Sequence, residues 1–174
     1  MLFVAHRGES LDAPENTLAA FRLAWQRRCR CIECDVRRTS DGEIVCMHDP
    51  STQRTTGVDY IVEHTPYSKL WRLDAGSWKD PEWIGEAIPL LSEVLYEMPA
   101  DGRIFIELKS SSDILEPLFE VIDKAQVSFW QIRLIAFDFE TIKRAQALFP
   151  AVKVHLLTSF EEQNGQLVPD AETL

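Results

Sequence analysis

Short apolar runs alternate along this chain with segments in which apolar residues recur at helical spacing. Each apolar run has the length of a strand and stops at charged or polar residues. The segment from Leu18 to Trp25 places its apolar residues on one helical face, with Asn16 or Thr17 as the cap. Strands are predicted at residues 2–5, 32–36, 44–47, 103–109, 132–137 and 152–157, and further helices at about 91–96, 114–125 and 140–148. This alternation predicts an α/β fold with a largely parallel sheet.

Residues 31–49 combine two predicted strands with a dense set of polar side chains. Glu33 and Asp35 are two positions apart on the first strand, so both point to the same side of it. Asp41-Gly42 is a strong turn signal between the two strands. A turn centred between these two residues predicts that Asp35 lies opposite His48.

Residues 50–88 interrupt the alternation and are interpreted as an insertion over the rim of the sheet, after the third strand. The insertion is rich in aromatic residues: Tyr60, Tyr67, Trp71, Trp78 and Trp83. Two interpretations are open, a small satellite core held by the tryptophans, which the pattern favours, or a direct grip on a substrate. The tail after Thr158 is polar and acidic and predicts no further strand and helix pair.

The length of 174 residues suits one ordinary domain, so a single domain over residues 1–174 is expected. No apolar run reaches the roughly 18 residues of a transmembrane helix, and the apolar start meets His6 before it could form a secretory signal. A formal charge of −10 argues against a nucleic-acid partner, and a bound divalent cation would offset part of it. A small-molecule partner is therefore expected.

Four cysteines, Cys29, Cys31, Cys34 and Cys46, raise the question of a zinc site. Cys31 and Cys34 fall on opposite faces of a predicted strand, so they cannot close on one ion as they would from a turn. Reduced, structural thiols in a cytoplasmic protein are the expectation.

Polar side chains collect at the ends of four predicted strands, where a parallel sheet would bring them together. They are His6, Arg7, Glu33, Asp35, His48, Glu107 and Lys109. The three carboxylates are hard oxygen ligands for Mg²⁺ or Ca²⁺, and the two histidines can transfer protons near neutral pH. Arg7 and Lys109 suit a phosphate group. The set predicts a metal-assisted phosphodiesterase.

Each of these residues also has a plainer interpretation. A carboxylate pair two positions apart is usually a solvated strand face, and Glu107 with Lys109 could form an internal salt bridge. A single histidine at a strand end more often forms a structural hydrogen bond than catalyses a reaction. The agreement of four strand ends favours the catalytic interpretation. Other polar residues are expected only to shape the rim through loop hydrogen bonds: Glu9, Asp12, Glu15, Asn16, Asp49 and Arg54.

The chain resembles the glycerophosphodiester phosphodiesterase family at these residues. The matching segments, in order, are HRGES, APENTLAAF, IECDVRRTSDGEIVCMHD with the trailing RTT, IPLLSEVL and IFIELK, and the likeness continues more loosely through IAFDFETIKRAQALFP. The resemblance implies a TIM-type β/α barrel that hydrolyses a glycerophosphodiester to an alcohol and glycerol 3-phosphate. It implies that His6 and His48 are the general acid and base. It further implies that Glu33, Asp35 and Glu107 bind a divalent metal, Mg²⁺ or Ca²⁺, and that Arg7 and Lys109 contact the phosphate.

The sequence leaves the nucleophile open between water and the neighbouring glycerol hydroxyl. A complete barrel takes about 250 residues, so the predicted barrel is incomplete at its C-terminus, with about six strands. A truncated product, a tail that covers the gap, or a second copy that completes the barrel would each explain this. Two other functions stay open: a phosphodiesterase acting on lysophospholipids, and an inactive barrel remnant that binds a phosphate ligand or dimerises.

Overall fold

One five-stranded sheet organises residues 3–163 and 166–169, which are the residues that a computed structural model of the chain describes. Its strands are β1 (Cys31–Arg38), β2 (Ile44–Cys46), β3 (Arg103–Leu108), β4 (Ile132–Ala136) and β5 (Lys153–Leu156). Their order in the sheet is β2-β1-β3-β4-β5. β1, β3, β4 and β5 are parallel, and β2 runs antiparallel to β1. The predicted β/α architecture is therefore confirmed.

Among the described residues, four helices cover one face of the sheet and two short ones lie in the insertion over residues 50–88. They are α1 (Leu18–Gln26), α2 (Gln53–Thr56), α3 (Tyr67–Leu70), α4 (Leu91–Glu97), α5 (Leu115–Ala125) and α6 (Phe139–Leu148), with short 3₁₀ turns at Val62–His64, Pro81–Trp83, Ser112–Ile114 and Phe129–Gln131. Thr17 caps α1 by accepting a hydrogen bond from the Ala20 backbone. In the part of the chain that the structure describes, no helix has the length and apolar character needed to cross a bilayer.

The two faces of the sheet have different compositions. Even-numbered strand residues such as Ile32, Cys34 and Ile106 are fully buried in the main core, together with residues of α1, α4, α5 and α6. Odd-numbered residues point to the other face, because side chains alternate along a strand. In the parallel register Asp35 lies directly beside Glu107. The charged residues of β1 and β3 are thus held on one surface by the packing of the opposite one.

The predicted first strand is reduced to one bridge, between Ala5 and Ile32. Ala5 donates to the Cys31 carbonyl at 2.9 Å and accepts from the Glu33 backbone at 2.9 Å. Phe3 and Val4 are 73% and 40% exposed, so the prediction of a buried strand is wrong at these residues. Within the described residues the segment has a strand neighbour on one side only. Residue 2, with which the predicted strand began, lies outside the described residues.

The turn between β1 and β2 shifts the predicted register by one residue. Thr39 pairs with Glu43 around a three-residue loop, in which Gly42 has a φ of 91°. A three-residue hairpin loop commonly ends with a residue in this left-handed conformation, which glycine adopts without strain. The backbone carbonyl of Asp35 consequently accepts a hydrogen bond from the backbone N–H of Met47. The prediction that Asp35 lies opposite His48 is therefore wrong.

The insertion over residues 50–88 forms the expected satellite core, but with different residues. Its buried members are Val45, Met47, Val62, Leu70, Ala75 and Ile88, with Tyr60, Tyr67, Leu73 and Leu90 packed against them. Trp71 and Trp78 are exposed and Trp83 is half-buried. The expectation that tryptophans hold this core is therefore wrong, because aliphatic and tyrosine side chains fill it.

All four cysteines are free, and Cys31, Cys34 and Cys46 are buried.

The tail forms an antiparallel hairpin of β6 (Phe160–Gln163) and β7 (Gln166–Pro169), which was not predicted from the sequence. The Asn164-Gly165 pair is a hairpin signal in the sequence, although these two residues lie outside the described part of the chain. Residues 170–174 also lie outside it.

Candidate active site

Three carboxylates meet on the charged face of the sheet. Glu33 and Asp35 come from β1 and Glu107 from β3, and they are 5%, 0% and 7% exposed. One oxygen atom from each lies within 4.8 Å of the others, and among the described residues this is the group whose spacing could hold a metal ion. The sequence spacing brought Glu33 and Asp35 together, and the parallel pairing of β1 with β3 adds Glu107.

In two of these carboxylates, Glu33 and Asp35, one oxygen accepts a hydrogen bond and the other accepts none. Glu33 Oε2 accepts from the Arg7 backbone at 2.8 Å, and Asp35 Oδ2 accepts from Asn16 Nδ2 at 2.8 Å. Glu33 Oε1, Asp35 Oδ1 and Glu107 Oε1 are buried without a hydrogen-bond partner. Burying a carboxylate oxygen without a partner is costly, so the three atoms have the chemistry of a cation site.

The pKa of Glu33 reflects its burial beside the other two carboxylates. Burial first, and then repulsion from the Asp35 carboxylate, raise the pKa of Glu33 to about 8. The hydrogen bond from the Arg7 backbone opposes this rise, and the Glu107 carboxylate adds to it. A cation among the three carboxylates would oppose this rise, because it favours the ionised form of Glu33.

Two basic side chains border the cluster. Lys109 Nζ lies 2.5 Å from Glu107 Oε1 and 3.3 Å from Asp35 Oδ1, at ion-pair distance but without hydrogen-bond geometry. Arg7 Nε lies 3.0 Å from Asp35 Oδ2. Arg7 has a φ of 57°, and in this left-handed conformation its backbone N–H donates to Glu33. Both cations therefore lie at the edge of the carboxylate cluster, where an anionic group bound to it would meet them.

The two predicted histidines occupy different surroundings. His6 Nε2 lies 3.8 Å from Glu33 Oε2, and its side chain is 65% exposed. His48 is hydrogen-bonded through Nδ1 to Asp49 Oδ1 at 2.7 Å. The His48 carbonyl accepts from Arg37 Nε and Nη2 at 3.0 and 2.8 Å, which fixes the backbone at this position.

Sequence reasoning missed the positioning roles of several loop residues. Asn16, treated as a rim hydrogen-bonder, is buried, and its amide both donates to Asp35 Oδ2 and accepts from the Asp35 backbone at 3.1 Å. Its φ of 58° is a conformation that asparagine tolerates better than most residues. The position of Asn16 immediately before the helix cap Thr17 was the available signal. The role of Arg37, which is buried in β1 and donates to the His48 carbonyl, had a weaker sequence signal: a charged residue directly after a predicted buried strand.

A second group of charges lies on the rim, in connecting segments and the short helix α2 rather than in strands. Arg54 donates to Asp49 Oδ2 at 2.6 Å and to both oxygens of Glu15 at 2.7 and 3.0 Å. Glu15 also accepts from Arg7 Nη1 at 2.9 Å. Burial acts to raise the pKa values of Glu15 and Asp49, but the hydrogen bonds and charges of Arg54, together with Arg7 at Glu15 and His48 at Asp49, outweigh it, so both pKa values are lowered. We call the set of Glu15, Asp49 and Arg54 the rim triad.

An open cavity of about 500 Å³ adjoins Glu107 and Lys109. Its remaining walls are Leu108, Ser110, Ser111, Ser112, Phe137, Asp138 and Thr141. Three serines and an aromatic ring next to the basic Lys109 offer space for a small polar molecule beside the carboxylate cluster.

Comparisons with known proteins agree with this geometry. The model of the glycerophosphoryl diester phosphodiesterase family matches residues 6–169. A glycerophosphodiester phosphodiesterase of Caldanaerobacter subterraneus is 34% identical over 161 residues, which is 90% of this chain and 66% of that protein. The chain thus spans slightly less than two thirds of the length of this relative.

Solved structures give the same result. A phosphodiesterase of Oleispira antarctica, determined with the product sn-glycerol-3-phosphate, matches with a TM-score of 0.81 and 33% identity, over 87% of this chain and 63% of that one. A glycerophosphodiester phosphodiesterase of Agrobacterium tumefaciens matches with a TM-score of 0.80 and 31% identity, over 87% and 64% of the two chains. These neighbours are TIM-type barrels, to which the five-stranded sheet described above corresponds in part.

Proposed function

Since the chain belongs to the glycerophosphoryl diester phosphodiesterase family, we propose that it hydrolyses glycerophosphodiesters to an alcohol and glycerol 3-phosphate with the help of a divalent cation. The observation that carries the proposal is the group of three buried carboxylates, each with one oxygen that has no hydrogen-bond partner. The glycerol 3-phosphate bound to the Oleispira antarctica relative supports the choice of substrate.

Glu33, Asp35 and Glu107 would hold the cation. Carboxylate oxygens suit Mg²⁺ or Ca²⁺, and three protein ligands leave coordination positions for water and a phosphate oxygen. When bound, the ion supplies Lewis-acid polarisation of that phosphate oxygen. Asn16 orients Asp35 by holding its Oδ2 atom, so that Oδ1 is left free for the ion.

Arg7 and Lys109 bind the phosphate group in this proposal. Both lie at the edge of the carboxylate cluster, and both can donate hydrogen bonds to phosphate oxygens as negative charge builds up on them in the transition state. Lys109 also borders the 500 Å³ cavity, so a substrate phosphate beside it can extend one of its ester groups into that cavity.

His6 and His48 transfer the protons. One histidine takes a proton from the nucleophile as its oxygen bonds to phosphorus, and the other gives a proton to the alcohol oxygen as its bond to phosphorus breaks. The nucleophile is water or the neighbouring glycerol hydroxyl; in the second case water then opens the cyclic phosphate. The hydrogen bond from His48 Nδ1 to Asp49 leaves His48 Nε2 available for this exchange.

The test is release of glycerol 3-phosphate from glycerophosphocholine by the purified chain, with Mg²⁺ or Ca²⁺ and with EDTA. We expect turnover that EDTA abolishes and that Glu107→Gln reduces by about 10³-fold, since the polarising ion is worth several kcal/mol. Glu97→Gln, which changes a carboxylate paired with Arg22 away from the cluster, is the matched control. Equal turnover with EDTA and with metal would refute the proposal. Lysophosphatidylcholine in a parallel assay shows whether a longer alcohol is accepted.

A further inference from the structure

The rim triad links the two halves of the proposed catalytic machinery through one side chain. Arg54 uses Nε to bind Asp49 and Nη1 and Nη2 to bind Glu15, at 2.6 to 3.0 Å. A guanidinium group is planar and presents its donors in a fixed fork, so it sets the relative position of two carboxylates more rigidly than an ammonium group can.

Each of these carboxylates has a second partner that belongs to the proposed site. Asp49 Oδ1 accepts from His48 Nδ1 at 2.7 Å. A carboxylate can only accept, so Nδ1 carries the hydrogen and Nε2 is left free for proton transfer. Glu15 Oε1 accepts from Arg7 Nη1 at 2.9 Å, and Arg7 Nε contacts Asp35 Oδ2.

The charges around Arg54 balance locally. The rim triad has two carboxylates and one guanidinium, and Arg7 supplies the second positive charge. The lowered pKa values of Glu15 and Asp49 keep both groups ionised at neutral pH. Removal of Arg54 would leave two carboxylates facing each other and release the constraint on His48 and Arg7 together.

On this basis we infer that Arg54 is a positioning residue that aligns His48 through Asp49 and Arg7 through Glu15, and so couples proton transfer to phosphate binding. The inference rests on the proposed function. The two connections are expected to affect different kinetic constants. The connection through Asp49 to His48 should affect kcat, because it orients a proton-transfer group. The connection through Glu15 to Arg7 should affect KM, because it orients a residue that binds the phosphate.

The first experiment measures kcat and KM for glycerophosphocholine in Arg54→Gln, Asp49→Asn, Glu15→Gln and the double variant Arg54→Gln/Asp49→Asn. We expect Asp49→Asn to lower kcat, Glu15→Gln to raise KM, and Arg54→Gln to do both, with a loss in kcat/KM of about 10- to 100-fold. In kcat the double variant should lose little beyond the larger single effect, because Arg54 acts on His48 only through Asp49, while its KM should match that of Arg54→Gln.

Two control variants separate positioning from folding and from charge. Arg22→Gln removes a comparable two-pronged contact, to Glu97 on an exposed surface away from the site, and is expected to keep kcat/KM within about twofold. Arg54→Lys keeps the positive charge but loses the fork, and is expected to recover less than half of the lost activity on a logarithmic scale. Thermal melts of all variants identify losses that come from unfolding.

A readout without turnover distinguishes failure of this inference from failure of the proposed function. In ¹⁵N-histidine NMR of the full chain, the Nδ1–H signal of His48, assigned with His48→Gln, should be sharp in the wild type, absent in Asp49→Asn and broadened in Arg54→Gln. An unchanged signal in Arg54→Gln, or kcat/KM within twofold of wild type, overturns the inference. A wild-type chain without metal-dependent turnover refutes the proposed function, while the NMR result still decides the role of Arg54.

Discussion

The carboxylate cluster on the sheet and the rim triad outside the sheet differ in whether their carboxylate oxygens have hydrogen-bond partners. In the cluster, three buried carboxylates each have one oxygen without a hydrogen-bond partner, although Lys109 forms ion pairs with two of them, and the pKa of Glu33 is raised to about 8. In the rim triad, Arg54 pairs with both carboxylates, and the pKa values of Glu15 and Asp49 are lowered. The cluster thus keeps three buried oxygens that suit the proposed cation, whereas both carboxylates of the rim triad are hydrogen-bonded to Arg54.

The difference follows from where the residues sit. Strand residues point to a fixed side, so β1 and β3 force Glu33, Asp35 and Glu107 together whatever their mutual repulsion. The rim triad lies on connecting segments and the short helix α2, whose positions are not fixed by strand pairing. The carboxylates that Arg54 pairs thus lie outside the sheet, and the proposed metal ligands lie where the main core fixes the backbone.

The two histidines give the largest test of this comparison, because His6 lies beside the cluster and His48 is held by the rim triad. We expect His6→Ala and His48→Ala each to lower kcat by about 10²- to 10⁴-fold, as expected for loss of a proton-transfer group. Steady-state assays with glycerophosphocholine check this. His64→Ala, at a 3₁₀ turn in the insertion, serves as the control, and losses below tenfold in both site variants would contradict the assignment.

The pH dependence of stability is the next test. In the metal-free protein the folded-state pKa of Glu33, about 8, is above the ordinary value of 4.5, so the folded state binds more protons than the unfolded state between these values. Stability is therefore expected to fall by a few kcal/mol as the pH rises from about 4.5 to about 8, since one pKa unit corresponds to about 1.4 kcal/mol.

Denaturant unfolding across this pH range in EDTA provides the measurement. Saturating Mg²⁺ or Ca²⁺ should remove most of the decline, and Glu33→Gln, which cannot ionise, should flatten it without metal. A decline of equal size in Glu33→Gln would show that another group causes it.

The smallest expected effect belongs to the rim triad. A glutamate-to-glutamine substitution is expected to lower stability there, whereas in the carboxylate cluster it is expected to raise it. Glu15→Gln removes a carboxylate that pairs with Arg54 and Arg7, and is expected to lower the free energy of unfolding by about 1–2 kcal/mol. Its melting temperature in EDTA at pH 8 should fall by roughly 2–8 °C, while that of Glu33→Gln should rise. A rise in both would remove the distinction between the two regions.

Strand periodicity was enough to predict much of the carboxylate cluster. Glu33 and Asp35 could be placed on one face because side chains alternate along any strand, and Glu107 followed from the next parallel strand. The position of His48 could not be predicted in the same way. A three-residue loop with Gly42 at positive φ shifts the hairpin by one residue, and the Asp41-Gly42 signal alone does not distinguish it from a two-residue turn.

The network around the site was beyond the reach of periodicity. Asn16 contacts Asp35 and Arg54 contacts Glu15 only because the loop that precedes α1 folds against β1 and α2, which are distant in the sequence. No local spacing encodes such pairs. The exposure of Phe3 and Val4 has a similar origin, because an apolar run shows that a strand prefers burial but not whether a neighbour covers it.

The pairing of Asp35 with Glu107 also determines when the cation site can exist during folding. Between these residues lie the hairpin, the whole insertion over residues 50–88 and α4, so β1 and β3 pair only after a long loop has closed. Such non-local contacts slow folding. A metal ion at the proposed site would gain its three ligands only once this pairing has formed, so we expect it to slow unfolding of the native protein rather than to guide the early chain.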